Sequence, residues 1–105
     1  MSIPTDENRE LLSVVATMRA QPGKEAELRA LLESLTETTL HEDGCTTYAL
    51  HQGTQDPGLF VFYENWSSQA HLDAHLNAPH LQEALPKFPE LLDGQLTIMP
   101  LNRIA

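Results

Sequence analysis

The stretch from Phe60 to His80 constrains the fold most, because a strand pattern passes directly into a helix pattern there. Residues 59–65 are rich in aromatic and β-branched side chains, which favours a strand. Ser67 or Ser68 then offers a hydroxyl that can cap the first turn of a helix. Four residues of that helix lie on neighbouring faces: His71, Leu72, His75 and Leu76. A tryptophan at the corner and histidines one turn apart predict one wall of a small pocket.

The rest of the chain supplies further strands and helices. Apolar residues at every third or fourth position predict an amphipathic helix over residues 24–40. Alternating or β-branched patterns predict strands over residues 11–19, 45–52 and 95–101. Residues 80–92 are predicted to form a helical stretch that prolines interrupt, and Pro79 either ends the helix before it or begins this one.

The order of these elements, β-α-β-β-α-α-β, predicts an α+β, ferredoxin-like fold with an antiparallel sheet. Residues 11–105 form one domain in this prediction, and residues 1–10 form a flexible N-terminal segment. The helices can cover only one face of the sheet, while the other face also carries apolar side chains. We therefore predict a homodimer packed sheet against sheet. Sedimentation at micromolar concentration that showed only an 11.7 kDa species would contradict the dimer.

Charge and cysteine content exclude several classes of function. The formal net charge is −9, from 15 acidic and 6 basic residues, which argues against nucleic-acid binding and gives no attraction to an anionic membrane. The sequence has neither an apolar run long enough to span a membrane nor a signal-peptide pattern, so we predict a cytoplasmic protein. Cys45 is the only cysteine, and it is either a nucleophile or a half-buried structural residue.

Three pieces of the sequence resemble the antibiotic biosynthesis monooxygenase superfamily, and within it the small quinol monooxygenases. These pieces are QPGKEAELRALLESL, HEDGCTTYAL and DPGLFVFYENWSSQAHLDAHLNAPHL. The most specific parts are the acidic-Gly-Cys turn at residues 42–45, the Glu64-x-Trp66 pair and the A-H-x-x-x-P-H motif at residues 74–80. The resemblance covers about residues 11–101. It implies a dimeric α+β barrel with a pocket between sheet and helices in each subunit.

The resemblance also implies an activity, which is the oxidation of a quinol or phenolic aromatic compound to a quinone by O₂ without a cofactor. In such an enzyme the pocket positions the ring and helps to remove its phenolic proton, and the substrate anion gives an electron to O₂. Two other functions stay open. One is an isomerase or degradative enzyme for a small carbonyl compound, and the other is a dimer that binds a small aromatic molecule without catalysis. Fold alone does not separate them, whereas oxygen consumption does.

The resemblance assigns Trp66 and His75 as catalytic residues. Trp66 matches a family position that lines the pocket and orients the ring, and its alternative is a plain core residue. His75 matches a helix position that faces the cavity, where an imidazole can accept or donate a proton. Its alternative is a histidine hydrogen-bonded to the backbone.

Five further residues are predicted to bind the substrate: Tyr48, His51, Phe62, Asn65 and His80. Tyr48 has a simpler role in the core, and His80 has a simpler role at the start of a helix. A shift of one residue in strand register would turn His51 and Asn65 away from the pocket.

The sequence predicts no metal and no cofactor. His71 and His75 share a helix face, but no third ligand, His80 included, has a clear spacing from them. Heme-degrading members of the superfamily need a histidine ligand beyond the position of His75, where this chain has Leu85-Pro86. Members that tailor polyketides have an asparagine where this chain has Phe62.

Overall fold

The computed structural model describes residues 11–105, so the predicted flexible segment at residues 1–10 lies outside the described part of the chain. One antiparallel sheet has the strand order β2-β3-β1-β4. Its strands are β1 (Leu12–Arg19), β2 (Cys45–Gln52), β3 (Leu59–Trp66) and β4 (Thr97–Asn102). The helices are α1 (Glu25–Leu40), α2 (Gln69–Leu76), α3 (Pro79–Ala84) and α4 (Phe88–Leu91), with a 3₁₀ turn at Leu85–Lys87. This order confirms the α+β, ferredoxin-like prediction.

The last strand begins later than the sequence pattern predicted. Before this strand, the N–H of Asp93 donates to the carbonyl of Arg19 on β1, at 2.8 Å. The chain then leaves β1 and pairs with it again only from Thr97, which lies opposite Thr17. Leu96 falls in this gap and packs against the core, so the strand covers residues 97–102 instead of 95–101.

The two faces of the sheet differ as the alternating pattern predicts. Val14, Ala16 and Met18 of β1 are buried against the helices, together with the leucines at positions 28, 32 and 35 of α1. The outer face carries side chains that are exposed in the single chain, and Tyr63, Met99 and Leu101 are each at least 41% exposed. No helix within residues 11–105 has the length and apolar character needed to cross a membrane.

The corner between β3 and α2 forms as the sequence predicts. The Ser68 hydroxyl accepts a hydrogen bond from the N–H of His71 at 3.2 Å and caps the helix. Pro79 is the first residue of α3, so it begins that helix. Gly44, in the turn after α1, has φ +80° and lies so close to α2 that a Cβ atom there would overlap the ring of His71. The α1–β2 turn is therefore held directly against α2.

Candidate functional site

A cavity of about 160 Å³ lies between the inner face of the sheet and the helices. Only three of its fifteen lining residues carry a polar side-chain group, namely Tyr48, Glu64 and His75. The apolar lining consists of Ala16, Met18, Leu32, Leu35, Phe62, Leu72, Leu76, Leu81, Leu85, Phe88, Leu96 and Ile98. An apolar cavity with a few converging polar groups is the usual form of a small-molecule site.

The imidazole of His75, one of the three polar groups of the cavity, is held by a hydrogen bond and by two aromatic neighbours. Its side chain projects from α2, and the residue is only 3% exposed. Nδ1 lies 2.6 Å from Oε2 of Glu42, so the imidazole N–H donates to a carboxylate oxygen. The ring lies against the indole of Trp66, with centroids 4.7 Å apart, and meets the edge of Tyr48 at 5.4 Å. Because the proton lies on Nδ1, the lone pair is on Nε2, and since His75 lines the cavity its imidazole can serve as a base there.

Glu42 connects two histidines. It lies in the turn after α1, and its Oε2 is 3.5 Å from Nε2 of His80, at the start of α3. The same His80 nitrogen lies 3.0 Å from the hydroxyl of Thr39, which is fully buried. Histidines from two helices, α2 and α3, therefore converge on one carboxylate of the α1–β2 turn. The sequence motif contains Glu42, but sequence reasoning gave it no role, because Glu42 and His75 are 33 positions apart.

Glu64 is a second candidate site residue that the sequence patterns did not single out. It lies on the inner face of β3, is 4% exposed, and accepts a hydrogen bond from Nε1 of Trp66 at 2.9 Å. Burial raises the pKa of Glu64 to about 7, the Trp66 bond opposes the rise, and the nearby Glu42 carboxylate adds to it. Near neutral pH the group is therefore partly protonated, and it can donate a hydrogen bond as well as accept one. A carboxylate at an inward position of an apolar strand was the signal that could have identified it.

Trp66 lies at a core position, which is the alternative that the sequence left open for it. It is fully buried and lies behind His75, and it is not among the residues that line the cavity. Its contacts fix the ring of His75 and the carboxyl group of Glu64, so it positions both polar groups. Phe62 and Tyr48 do line the cavity and stack on each other, with centroids 4.4 Å apart. Burial raises the pKa of the Tyr48 hydroxyl far above its ordinary value, so it stays a neutral phenol.

Three predicted substrate-binding residues lie outside the cavity. Asn65 points to the outer face of the sheet and donates to the hydroxyl of Ser13 at 2.9 Å, because its neighbours on β3 point inward. His51 is exposed on the edge strand β2, where Nδ1 donates to the carbonyl of Ala49 at 3.1 Å. His80 does not line the cavity and contacts Glu42 instead.

His51 belongs to a larger open groove of about 710 Å³ that runs between α1 and β2. Charged side chains line it, and two of them, Arg29 and Glu33, pair with each other at 2.8 Å. This groove shares Tyr48 with the smaller cavity but lacks the buried Glu64 and His75, so the smaller cavity is the candidate site.

Cys45 lies close to the site, and its chemistry favours the structural role. Burial, together with the Glu42 and Glu64 carboxylates, raises the pKa of the Cys45 thiol to about 11. At neutral pH the group is almost entirely the unreactive thiol.

Comparisons with known proteins place these observations in a family. The family model described as "Antibiotic biosynthesis monooxygenase" matches residues 11–87. The "Uncharacterized protein sll1783" of Synechocystis sp. is 32% identical over 79 residues, and the match covers 75% of this chain but only 54% of that protein. The Escherichia coli protein named "Probable quinol monooxygenase YgiN" is 33% identical over 82 residues, which cover 69% of this chain and 79% of YgiN.

Solved structures show the same fold over nearly the whole described chain. PA3566 from Pseudomonas aeruginosa is 34% identical, with a TM-score of 0.86, over 90% of this chain and 95% of that one. Rv0793 from Mycobacterium tuberculosis is 29% identical, with a TM-score of 0.85, over 90% of this chain and 96% of that one.

Proposed function

Because the chain belongs to the antibiotic biosynthesis monooxygenase family, we propose that it oxidises a quinol or phenolic aromatic compound to a quinone with O₂, without a cofactor. One observation carries the proposal: the buried His75–Glu42 pair presents an imidazole to an apolar cavity. The similarity to a protein named as a quinol monooxygenase supports the substrate class.

His75 is the proposed general base. Nε2 accepts the phenolic proton, while the Glu42 carboxylate holds Nδ1–H and stabilises the imidazolium that forms. The substrate anion then transfers an electron to O₂, and the two radicals combine to form a C–O bond on the ring. Cleavage of the O–O bond leaves one oxygen atom in the quinone and releases the other as water. The apolar cavity favours this sequence, because its lining limits the access of water to the reactive intermediates.

Glu64 is the proposed hydrogen-bond donor to the substrate oxygen. Its protonated form can donate from Oε2 while Oε1 accepts from Trp66. A neutral carboxylic acid in an apolar site stabilises a developing oxyanion in this way. Since burial raises the pKa of Glu64 to about 7, we expect this donor to be lost as the pH rises above neutral.

The cavity volume favours a substrate with a single aromatic ring. The cavity measures about 160 Å³, and an apolar protein cavity of about 150 Å³ holds one benzene molecule. A fused two-ring quinol would have to displace the leucine side chains of the lining. The side chains of Tyr48 and Phe62 provide aromatic surface for one ring.

Oxygen uptake by the metal-stripped protein tests the function and the ring size together. Monocyclic hydroquinones are compared with naphthoquinols, each against its own autoxidation rate. We expect uptake above autoxidation for the monocyclic compounds, with kcat/KM at least about tenfold higher than for the bicyclic ones. No uptake across the panel would contradict the proposed oxidation by O₂ and favour the isomerase or binding functions. Equal rates for both classes would contradict the size limit alone.

We also propose that a second copy of the chain covers the outer face of the sheet. Tyr63, Met99 and Leu101 are exposed there, although monomeric proteins seldom expose a contiguous apolar face. A homodimer formed through this face would have the geometry of an α+β barrel. Sedimentation at micromolar concentration should therefore give twice the mass of the chain, and a purely monomeric species would contradict the proposal.

A further inference from the structure

Three side-chain atoms that commonly bind metals converge beside the cavity: Oε2 of Glu42, Nδ1 of His75 and Nε2 of His80. All lie within 4.8 Å of one another, and Glu42 is 2.6 Å from the His75 nitrogen and 3.5 Å from the His80 nitrogen. We propose that these residues bind a divalent transition-metal ion, and that the bound ion inhibits the oxidation because it occupies Nδ1 of His75. Two imidazole nitrogens and one carboxylate oxygen are the donors of many three-ligand zinc sites.

Movements of at most about 1.5 Å would bring the three atoms to metal-binding distances, because no two of them, the two histidine nitrogens included, lie more than 4.8 Å apart. A tetrahedral zinc ion with bonds of about 2.0–2.1 Å holds its ligand atoms about 3.3 Å apart. The oxygen of Glu42 and the nitrogen of His80 are already near this separation, whereas Glu42 and His75 have to move apart by about 0.7 Å. Glu42 can supply this movement, because it lies on a turn and is partly exposed. Trp66 and Tyr48 hold the His75 ring in place, which pre-orients one ligand.

An ion can reach the three ligands from solvent. The side chains of Glu42 and His80 are 18% and 19% exposed, so water can enter and supply a fourth ligand. The net charge of −9 attracts cations to the protein. The ion has to displace the hydroxyl of Thr39 from Nε2 of His80, at the cost of one hydrogen bond.

Metal binding and base catalysis exclude each other at His75. In the metal-free protein the proton lies on Nδ1, and Nε2 is the base. A metal on Nδ1 displaces that proton, and the neutral imidazole then carries its proton on Nε2. In that form Nε2 has no lone pair to accept the phenolic proton. The inhibition rests on the proposed function, whereas the binding of the ion does not.

Calorimetric titration of tag-free, chelator-stripped protein with Zn²⁺ tests the binding, and Co²⁺ absorption tests the coordination. We expect one ion per chain with a dissociation constant of about 10 μM or tighter, and Co²⁺ bands typical of four or five ligands. Glu42→Gln and His80→Ala should each weaken binding at least about tenfold. His80→Asn serves as a second variant if His80→Ala does not fold, as judged by circular dichroism.

His71→Ala is the matched control. His71 lies on the same helix as His75 and has a carboxylate neighbour of its own, Asp43 at 3.3 Å, but within residues 11–105 it belongs to no group of three possible ligands. The His71→Ala protein should bind Zn²⁺ with the same dissociation constant as the unaltered protein. A dissociation constant above about 100 μM, or one that Glu42→Gln and His80→Ala leave unchanged, would contradict the proposed metal site. Neither result would bear on the proposed oxidation.

The inhibition has its own readout. Zn²⁺ should suppress oxygen uptake with a midpoint at the dissociation constant that calorimetry gives. Binding without suppression would overturn the inhibitory role of the ion and leave the site itself in place.

Discussion

Replacement of His75 by glutamine is expected to lower kcat for quinol oxidation at least about a hundredfold, because the cavity loses its base. Glutamine can still donate to Glu42 and is close in size, so KM should change little. The base acts in the transition state, whereas the apolar lining holds the ring in the ground-state complex and in the transition state alike. Steady-state oxygen uptake at saturating substrate, with autoxidation subtracted, measures the effect.

Two further variants separate catalysis from structure. His71→Gln changes a histidine one turn earlier on the same helix, with a carboxylate neighbour but outside the cavity lining, and should keep nearly full activity. Glu42→Gln should give an intermediate loss, since an amide holds the imidazole but stabilises its charged form less. A folded His75→Gln protein with the original kcat would show that His75 is not the base.

Replacement of Glu64 by glutamine is expected to make the protein more stable at alkaline pH. Burial raises the pKa of Glu64 from its ordinary value of 4.5 to about 7. Below pH 4.5 the carboxyl group is protonated in both the folded and the unfolded chain. Between pH 4.5 and 7 the unfolded chain releases this proton while the folded chain keeps it, so the free energy of unfolding falls with pH. The loss reaches about 3 kcal/mol above pH 7, at about 1.4 kcal/mol for each pKa unit.

Glutamine does not titrate, and its carbonyl can still accept from Trp66. The difference in unfolding free energy between variant and unaltered protein should therefore grow as the pH rises from 5 to 8, and urea titrations at several pH values measure it. Glu83→Gln, at an exposed position on α3, is the control and should show no such trend. A difference that stays constant with pH would contradict the raised pKa.

The same Glu64 variant should alter the pH dependence of activity. The amide N–H donates at every pH, so the decline in rate above neutral pH should be weaker in Glu64→Gln than in the unaltered protein. A decline of equal size in both proteins would show that Glu64 does not act as the donor.

Local pattern was enough to predict much of the fold. The inward face of β1, the serine cap of α2 and the proline-broken helix after Pro79 all follow from the spacing of neighbouring residues. These features depend on side-chain alternation and on backbone N–H groups, and both act over a few residues. The start of β4 at Thr97 differs from the predicted start, because it depends on where the chain rejoins β1.

The candidate site was only partly predictable, because its central contacts join distant segments. The pairing of Glu42 with His75 requires the turn at Gly44 to lie against α2, and no local pattern specifies that approach. The sequence predicts that Asn65 binds the substrate, whereas the alternation that buries Glu64 and Trp66 turns it to the other face of the sheet. The same alternation places Glu64 on the inner face, so its burial could be predicted from the sequence.

The most direct measurement follows isotopically labelled O₂ into the product formed from a monocyclic phenol by metal-stripped protein. The quinone is reduced and trapped at once, since its oxygens exchange with water, and is then examined by mass spectrometry. We expect one labelled oxygen atom in each product molecule, and no labelled product with His75→Gln. An unlabelled quinone with accumulation of hydrogen peroxide, or no consumption of O₂, would contradict a monooxygenase at this site.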